Sequence, residues 1–330
     1  MERITLADSG VETSRIALGT WAIGGRMWGG TDEAESIAAI QAAVDQGVTL
    51  IDTAPAYGVG RSEEIIGKAL KGGLRAKAEI ATKGGLTFVD GKIRRDSSPK
   101  RIREEVEESL KRLQTDVIDL YQIHWPDHSV PFAETAAALE DLRKAGKIRA
   151  IGVSNYSVAE MDEFRTAAEL DTVQPPYNLF EREIEADILP YARHDRLTVL
   201  CYGALCRGML AGRINAATKF SGDDLRQNDP KFQQPRFGNY LAAVEELKTL
   251  ARERFDKSLP ALAVRWVLDQ GRTIALWGAR RPDQLAPMAE VDGWRIDAKA
   301  MIEIDAILAR HVPEPIAPTF MAPPANRPAA

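Results

Sequence analysis

An α/β fold, built as a (β/α)8 TIM barrel with an N-terminal β-hairpin and extra C-terminal helices, is the fold class this sequence predicts. Three observations carry it. Short apolar runs alternate with amphipathic runs at a spacing of about 30 residues, the rhythm of parallel βαβ units. Eight strand-like runs can be read along the chain. No G-x-G-x-x-G turn follows the first of them, because GGRMWGG does not supply it, and this disfavours a doubly wound sheet. The chain has 330 residues and is 45% hydrophobic. One barrel can use nearly all of it, so residues 1–330 are taken as one domain.

The opening RITLADSGVETSRIALGTW reads as a hairpin, with strands around Ile4–Leu6 and Ser14–Leu18 and a turn at Asp8-Ser9-Gly10. TDEAESIAAIQAAVDQG predicts a helix, capped by Thr31 or Asp32 and stopped at Gly47. VTLIDTA is a buried strand, RSEEIIGKALKGG a helix and AEIATK a strand. SPKRIREEVEESLKRLQ is a helix with Pro99 in its first turn. DVIDLYQIH, IRAIGVS, DTVQP and LTVLCYG are strands, separated by the helical runs VPFAETAAALEDLRKAGK, VAEMDEFRTAAEL and EIEADILPYARHD. Residues 203–239 then break the rhythm with a polar, Gly-rich and basic insert, and loops that long inside a compact domain are usually functional. The helices YLAAVEELKTLARERF and LPALAVRWVLDQG lead to a last strand, TIALWG, and a last barrel helix, RPDQLAPMAEV. DAKAMIEIDAILARH is an extra helix, and the Pro-rich tail 312–330 is expected to be extended. KIRRD, residues Lys92–Asp96, is expected to be a solvated loop.

The formal net charge is −5, so no large basic field is present, which argues against nucleic acid and anionic membrane as partners. Two cysteines, Cys201 and Cys206, cannot build a disulfide framework and read as small buried residues. No signal peptide or membrane-length apolar run is visible, so a cytoplasmic protein is expected. No His/Cys cluster has metal-ligand spacing, so no metal is expected.

Asp52, Lys83 and His124 end strands two, three and four, and Tyr57 follows strand two by a short loop. Active-site residues of such barrels come from the C-terminal strand ends, so these four should meet. An ammonium beside a phenol lowers its pKa, and a carboxylate holds the ammonium in place. A neutral His can orient a carbonyl oxygen by donating to it. Such a set protonates an oxygen while something else attacks its carbon. It contains no hydride donor, so a cofactor is implied.

The segments GVTLIDTAPAYGVGRSEEIIGKAL, EIATKGG, DVIDLYQIHWPD, GKIRAIGVSNYS and QPPYNLFER resemble the aldo-keto reductase superfamily, in order, over about residues 3–310. WAIGGRMWGGTD, YGALCRGML and the MAPP tail resemble its bacterial glycerol dehydrogenase and glyceraldehyde reductase type. The resemblance implies that Tyr57 is the proton donor, Lys83 lowers its pKa, Asp52 supports Lys83 and His124 orients the substrate. It implies NADP(H), with hydride delivered from nicotinamide C4. Ser154, Asn155 and Gln174 would hold the carboxamide, and Tyr202 would stack on the ring. Gly19, Thr20, Trp21 and Asp52 are further expected cofactor contacts. Leu205, Arg207, Gly208 and Arg226 would meet the pyrophosphate. Gly278, Arg280, Arg281 and Gln284 would meet the adenosine 2′-phosphate and adenine, although Pro287 and Met288 stand where the family pattern has Glu and Asn. Trp21, Trp28, Tyr57, His124 and Trp125, with Tyr156, would face a small carbonyl or polyol substrate. Two other readings stay open: a nucleotide-sensing subunit with negligible turnover, and a lyase or isomerase using Lys83 as a Schiff base.

Overall fold

The structure, a computed structural model, describes residues 1–325. The end of the expected tail, 326–330, lies outside the described residues. Strands β1 (Arg3–Thr5) and β2 (Glu12–Ser14) pair antiparallel as the predicted hairpin. The expected second strand Ser14–Leu18 is in fact two. It breaks at Arg15, whose guanidinium donates to the carbonyls of Leu268 and Gly271 (both 2.6 Å) and Thr273 (3.1 Å). The next strand, β3 (Ile16–Gly19), is the first of the barrel.

Then follow α1 (Glu33–Asp45), β4 (Leu50–Asp52), α2 (Arg61–Ala69) and β5 (Glu79–Gly84). The cap of α1 is Asp32, which accepts from Glu35 N at 2.9 Å. Where a solvated loop is expected, β6 (Leu86–Val89) and β7 (Lys92–Arg95) form a second hairpin. Its side chains alternate: Lys92 and Arg94 are exposed, Ile93 is half-buried and Arg95 buried. After it come α3 (Pro99–Leu113), β8 (Ile118–Ile123), α4 (Phe132–Lys144), β9 (Ile148–Ser154), α5 (Val158–Arg165) and β10 (Thr172–Gln174).

The predicted helix at 183–195 is interrupted, with a 3-10 turn at Glu183–Glu185 before α6 (Ile188–His194). Beyond β11 (Thr198–Cys201) the insert holds 3-10 turns at Cys206–Ala211, Leu225–Gln227 and Pro230–Phe232. Helices α7 (Arg236–Phe255) and α8 (Leu259–Leu268) lead to β12 (Thr273–Gly278). The expected last barrel helix is a 3-10 segment, Pro282–Glu290. Pro287 inside it lacks the N–H an α-helix needs there. After α9 (Ala298–His311) the tail is not simply extended. Ile316 N donates to the Tyr240 hydroxyl (3.1 Å), and a turn at Pro318–Met321 carries the chain across the barrel mouth.

The barrel closes in the order β10-β11-β12-β3-β4-β5-β8-β9, with every pairing parallel. Inside it Ala17, Leu50, Ala81, Leu120, Ala150, Leu200 and Ile274 pack together with Leu6 and Val11 of the hairpin turn, which plugs the N-terminal end. That filled floor leaves the C-terminal end as the place for a site. Among the described residues no helix is long and apolar enough to cross a membrane.

Candidate active site

Neighbouring strand ends deliver the predicted tetrad. Asp52 closes β4, Lys83 is the next-to-last residue of β5, and His124 follows β8. Lys83 Nζ donates to Asp52 Oδ2 at 2.6 Å, to the Thr53 carbonyl at 3.0 Å and to Tyr57 Oη at 3.2 Å. Those are all three donors an ammonium has. The other carboxylate oxygen, Asp52 Oδ1, accepts from Gln174 (2.9 Å) and Gln122 (3.4 Å). The Tyr57 ring stands edge-on to His124, with centroids 5.7 Å apart. Two glycines fix Tyr57. A Cβ on Gly24 would fall 2.6 Å from the Tyr57 carbonyl carbon, and Gly58, at φ +68°, brings its own backbone against Gly24.

The electrostatics keep each group in one form. Burial pushes the Tyr57 phenol well above its ordinary value, and the Asp52 charge adds to this. Burial also pushes Lys83 down, against Asp52, which holds it up. Burial and then the Lys83 charge hold His124 well below its ordinary range, so it is neutral. Tyr57 Oη therefore accepts from Lys83 and still owns a proton.

That proton borders a cavity of about 660 Å³. Gly19, Thr20, Trp21, Trp28, Asp52, Tyr57, His124, Trp125, Ser154, Asn155, Gln174 and Tyr202 line it at the tetrad end. Leu205, Arg207, Gly208, Arg226, Gly278, Arg280 and Gln284 line its other arm. Lys83 lies behind this wall, with its amine fully engaged, an arrangement unsuited to Schiff-base chemistry.

Near the tetrad, Asn155 is a hub. Its Nδ2 donates to His124 O (3.1 Å) and Ser154 Oγ (3.0 Å), and its Oδ1 accepts from the Tyr202 hydroxyl (2.9 Å). Ser154 Oγ donates to Gln174 O at 2.8 Å. In the other arm, Arg280 reaches the carbonyls of Trp28 (2.9 Å) and Gly30 (2.8 Å), and Gln284 Oε1 accepts from Arg280 N and Arg281 N. Arg226 pairs with Asp224 at 2.6 Å and stacks on Phe220 and Trp28. Asp223 accepts from Met27 N and Gly29 N, so the insert is tied across the cleft to the loop after β3.

Two expected residues lie away from the cavity, and a third lines it with its guanidinium engaged. Arg207 lines the cavity, with its guanidinium held by Glu181 and Asp229 at 2.5 Å each. Arg281 is exposed, pairs with Asp283 at 3.0 Å and does not line the cavity. Tyr156 is buried in the outer core against Phe132 and Phe164.

Sequence reasoning missed one whole wall. Leu86, Phe88 and Ile93 of the β6–β7 hairpin line the cavity, as do Phe320, Met321, Ala322 and Pro323 of the tail. Arg95 joins the two, donating to Pro323 O (2.8 Å) and Pro126 O (2.6 Å) while stacking on Trp125. A signal was present: Asp90-Gly91 between alternating runs is a strong hairpin mark.

Known proteins share this architecture. The Aldo/keto reductase family matches residues 15–309. The chain is 57% identical over 326 residues to aldo-keto reductase YhdN of Bacillus subtilis, covering 98% of both chains. It is 37% identical to the NADH-specific methylglyoxal reductase of Escherichia coli, over 86% of this chain and 91% of that one. The solved glycerol dehydrogenase AKR11B4 from Gluconobacter oxydans is 56% identical, with a TM-score of 0.88 over 97% of this chain and 99% of that one. An aldo-keto reductase from Klebsiella pneumoniae, solved in complex with NADPH, is 27% identical with a TM-score of 0.73, over 93% and 95%. The chain belongs to the aldo/keto reductase family.

Proposed function

We propose that the protein reduces aldehydes and some ketones to alcohols with NADPH, and oxidises polyols in reverse. Small polyol-related aldehydes such as glyceraldehyde are the favoured substrates. The observation that carries this reading is the bond from Lys83 to Tyr57 Oη at 3.2 Å, which leaves the phenolic proton for a carbonyl oxygen. Charge grows on that oxygen during reduction, and a positioned acid stabilises it. Neutral His124 can donate to the same oxygen. The aromatic walls Trp21, Trp28 and Trp125 suit a small planar carbonyl.

The donor set of the cavity fits a nicotinamide dinucleotide. Ser154, Asn155 and Gln174 offer amide and hydroxyl groups beside the tetrad, and the Tyr202 ring offers a stacking face. The Arg226 and Arg280 guanidiniums, with Gln284, offer phosphate and adenine partners in the other arm. When bound, NADPH supplies the hydride. Relatives support the substrate class: one is a glycerol dehydrogenase and another a methylglyoxal reductase, although the latter is NADH-specific. The two buried free thiols, Cys201 and Cys206, suit the cytoplasm.

The test is oxidation of NADPH, and of NADH in parallel, against glyceraldehyde, methylglyoxal, dihydroxyacetone and aldose sugars. Turnover of the small aldehydes with NADPH preferred is the expected result. Binding of nucleotide without oxidation by any carbonyl would favour the sensing subunit instead.

A further inference from the structure

One peptide group stands between two members of the tetrad. The bond from Gly84 to Gly85 directly follows Lys83. Its carbonyl, Gly84 O, accepts from the backbone N–H of His124 at 2.9 Å. Its N–H, on Gly85, donates to Glu105 Oε2 at 2.7 Å. Glu105 lies on α3, outside the barrel wall, and is 1% exposed. The contact has no slack. A Cβ on Gly84 would lie 2.1 Å from the Tyr121 phenol oxygen and 2.9 Å from Glu105 Oε2. The strand therefore ends pressed against both side chains. The next carbonyl, Gly85 O, accepts from Asp96 N at 3.0 Å, so the β6–β7 hairpin hangs from the same two residues.

A buried carboxylate is costly unless its charge is met. Here it is met only in part. Arg101 lies 3.5 Å from Glu105 Oε1 but is shared with Glu104 and Glu108 on the same helix. Glu63 on α2 faces the cluster too, and its own cation is Arg112, at 2.6 Å. Tyr121 on β8 adds an uncharged phenol.

We propose that Glu105 is a positioning residue for catalysis: its carboxylate fixes the Gly84–Gly85 peptide, and through that peptide both Lys83 and His124. The kinetic side of this proposal rests on the carbonyl-reduction reading. Burial pushes the Glu105 carboxyl up to about 7, against the Gly85 N–H and Arg101, with Glu108 and Glu63 adding to the rise. When ionised, it makes the stronger, charge-assisted bond to Gly85. When protonated it holds the peptide less firmly, and small misplacements of catalytic groups are expensive in rate. Burial holds His124 well below its ordinary value and Tyr57 well above its own, so neither masks the effect.

The experiment is a pH profile of aldehyde reduction from 6 to 8. Wild-type kcat should rise about three- to tenfold, with KM flat. Glu105→Gln keeps an oxygen for Gly85 but cannot ionise, so it should match wild type at pH 6 and lack the rise. A rise that survives in Glu105→Gln, or is absent from wild type, overturns the proposal. A second measurement needs neither variant nor turnover. In ¹⁵N-labelled wild-type protein, the Gly85 and His124 amide resonances should shift together with a midpoint near 7. Resonances that stay fixed across this window overturn the link. If both amides titrate while no carbonyl is reduced, the functional reading fails and the positioning link stands.

Discussion

Two buried clusters of opposite charges lie in this molecule, and only one of them reaches a phenol on the cavity wall. At the mouth, Asp52 and Lys83 pair at 2.6 Å. Under the insert, Glu181 and Asp229 hold Arg207, and Lys231 adds a second cation on Glu181 at 2.9 Å. Both clusters are almost wholly buried. In the second, the carboxylates raise the Arg207 guanidinium against the cost of burial, and Arg207 and Lys231 lower Glu181 likewise. Two cations meet two anions, and the set pins the 3-10 turns of the insert to the segment after β10. In the first, one anion meets one cation, and the cation's third bond goes to a phenol on the cavity wall. Burial of charge is thus not the mark of the site. The mark is a proton held in a fixed place and not yet committed.

The sharpest way to break this contrast is to remove that proton. Tyr57→Phe should keep its fold and nucleotide binding while reduction falls by about 10²–10⁴-fold, measured as kcat with unchanged Tm. Near-normal turnover would mean the acid lies elsewhere. Lys83→Met should lose about as much, because the pair acts as a unit and the losses do not multiply. A double variant showing the product of both losses would dissolve the unit.

The second cluster should answer in the opposite currency. Arg207→Met leaves Glu181 and Asp229 with a deficit of positive charge in the interior, and should lower stability by about 3–5 kcal/mol. Lys231→Met should cost less, since Arg207 remains, and leave kcat of the folded enzyme unchanged. Denaturant titration beside kcat separates the two outcomes. A Lys231→Met enzyme that folds normally but turns over poorly would make the cluster part of the site.

The smallest effects concern the phosphate arm. Arg280→Ala should weaken NADPH by about 1.5–3 kcal/mol, the worth of a hydrogen bond to a charged group, and spare NADH. Arg281→Ala, with its guanidinium on Asp283, should change the ratio of the two nucleotides by less than about twofold. Fluorescence titration of both nucleotides gives the ratios, and a larger loss at Arg281 would reverse the assignment.

The legible part of the molecule was the part governed by local period. Strands β4, β5, β8 and β9 are short, mainly apolar runs that end at or beside a charged or polar residue, and the chain itself declares them. The ion partners of Arg207 were not legible, because nothing local reveals that Glu181 and Asp229 will surround it; that is a tertiary fact. The tail was misjudged for the same reason, since Arg95 and Tyr240, which hold it, are far away in sequence. The β6–β7 hairpin is different. Its Asp90-Gly91 turn is a local signal, obscured by reading Lys92–Asp96 as charge rather than as alternation.

The seam where the barrel closes carries one more consequence. β3 lies beside β12, so the Ile16–Ala275 and Gly19–Gly278 pairs join residues from opposite ends of the chain. Pairing across such separations is slow to form and leaves edges open meanwhile. A dinucleotide reaching from Thr20 to Arg280 would lie across this seam. Ligands that bind only the folded form stabilise it by mass action, about 2.7 kcal/mol at a hundred times Kd. The coenzyme would then act as a rivet on the last joint of the barrel, and the lifetime of the protein would follow the supply of its own coenzyme.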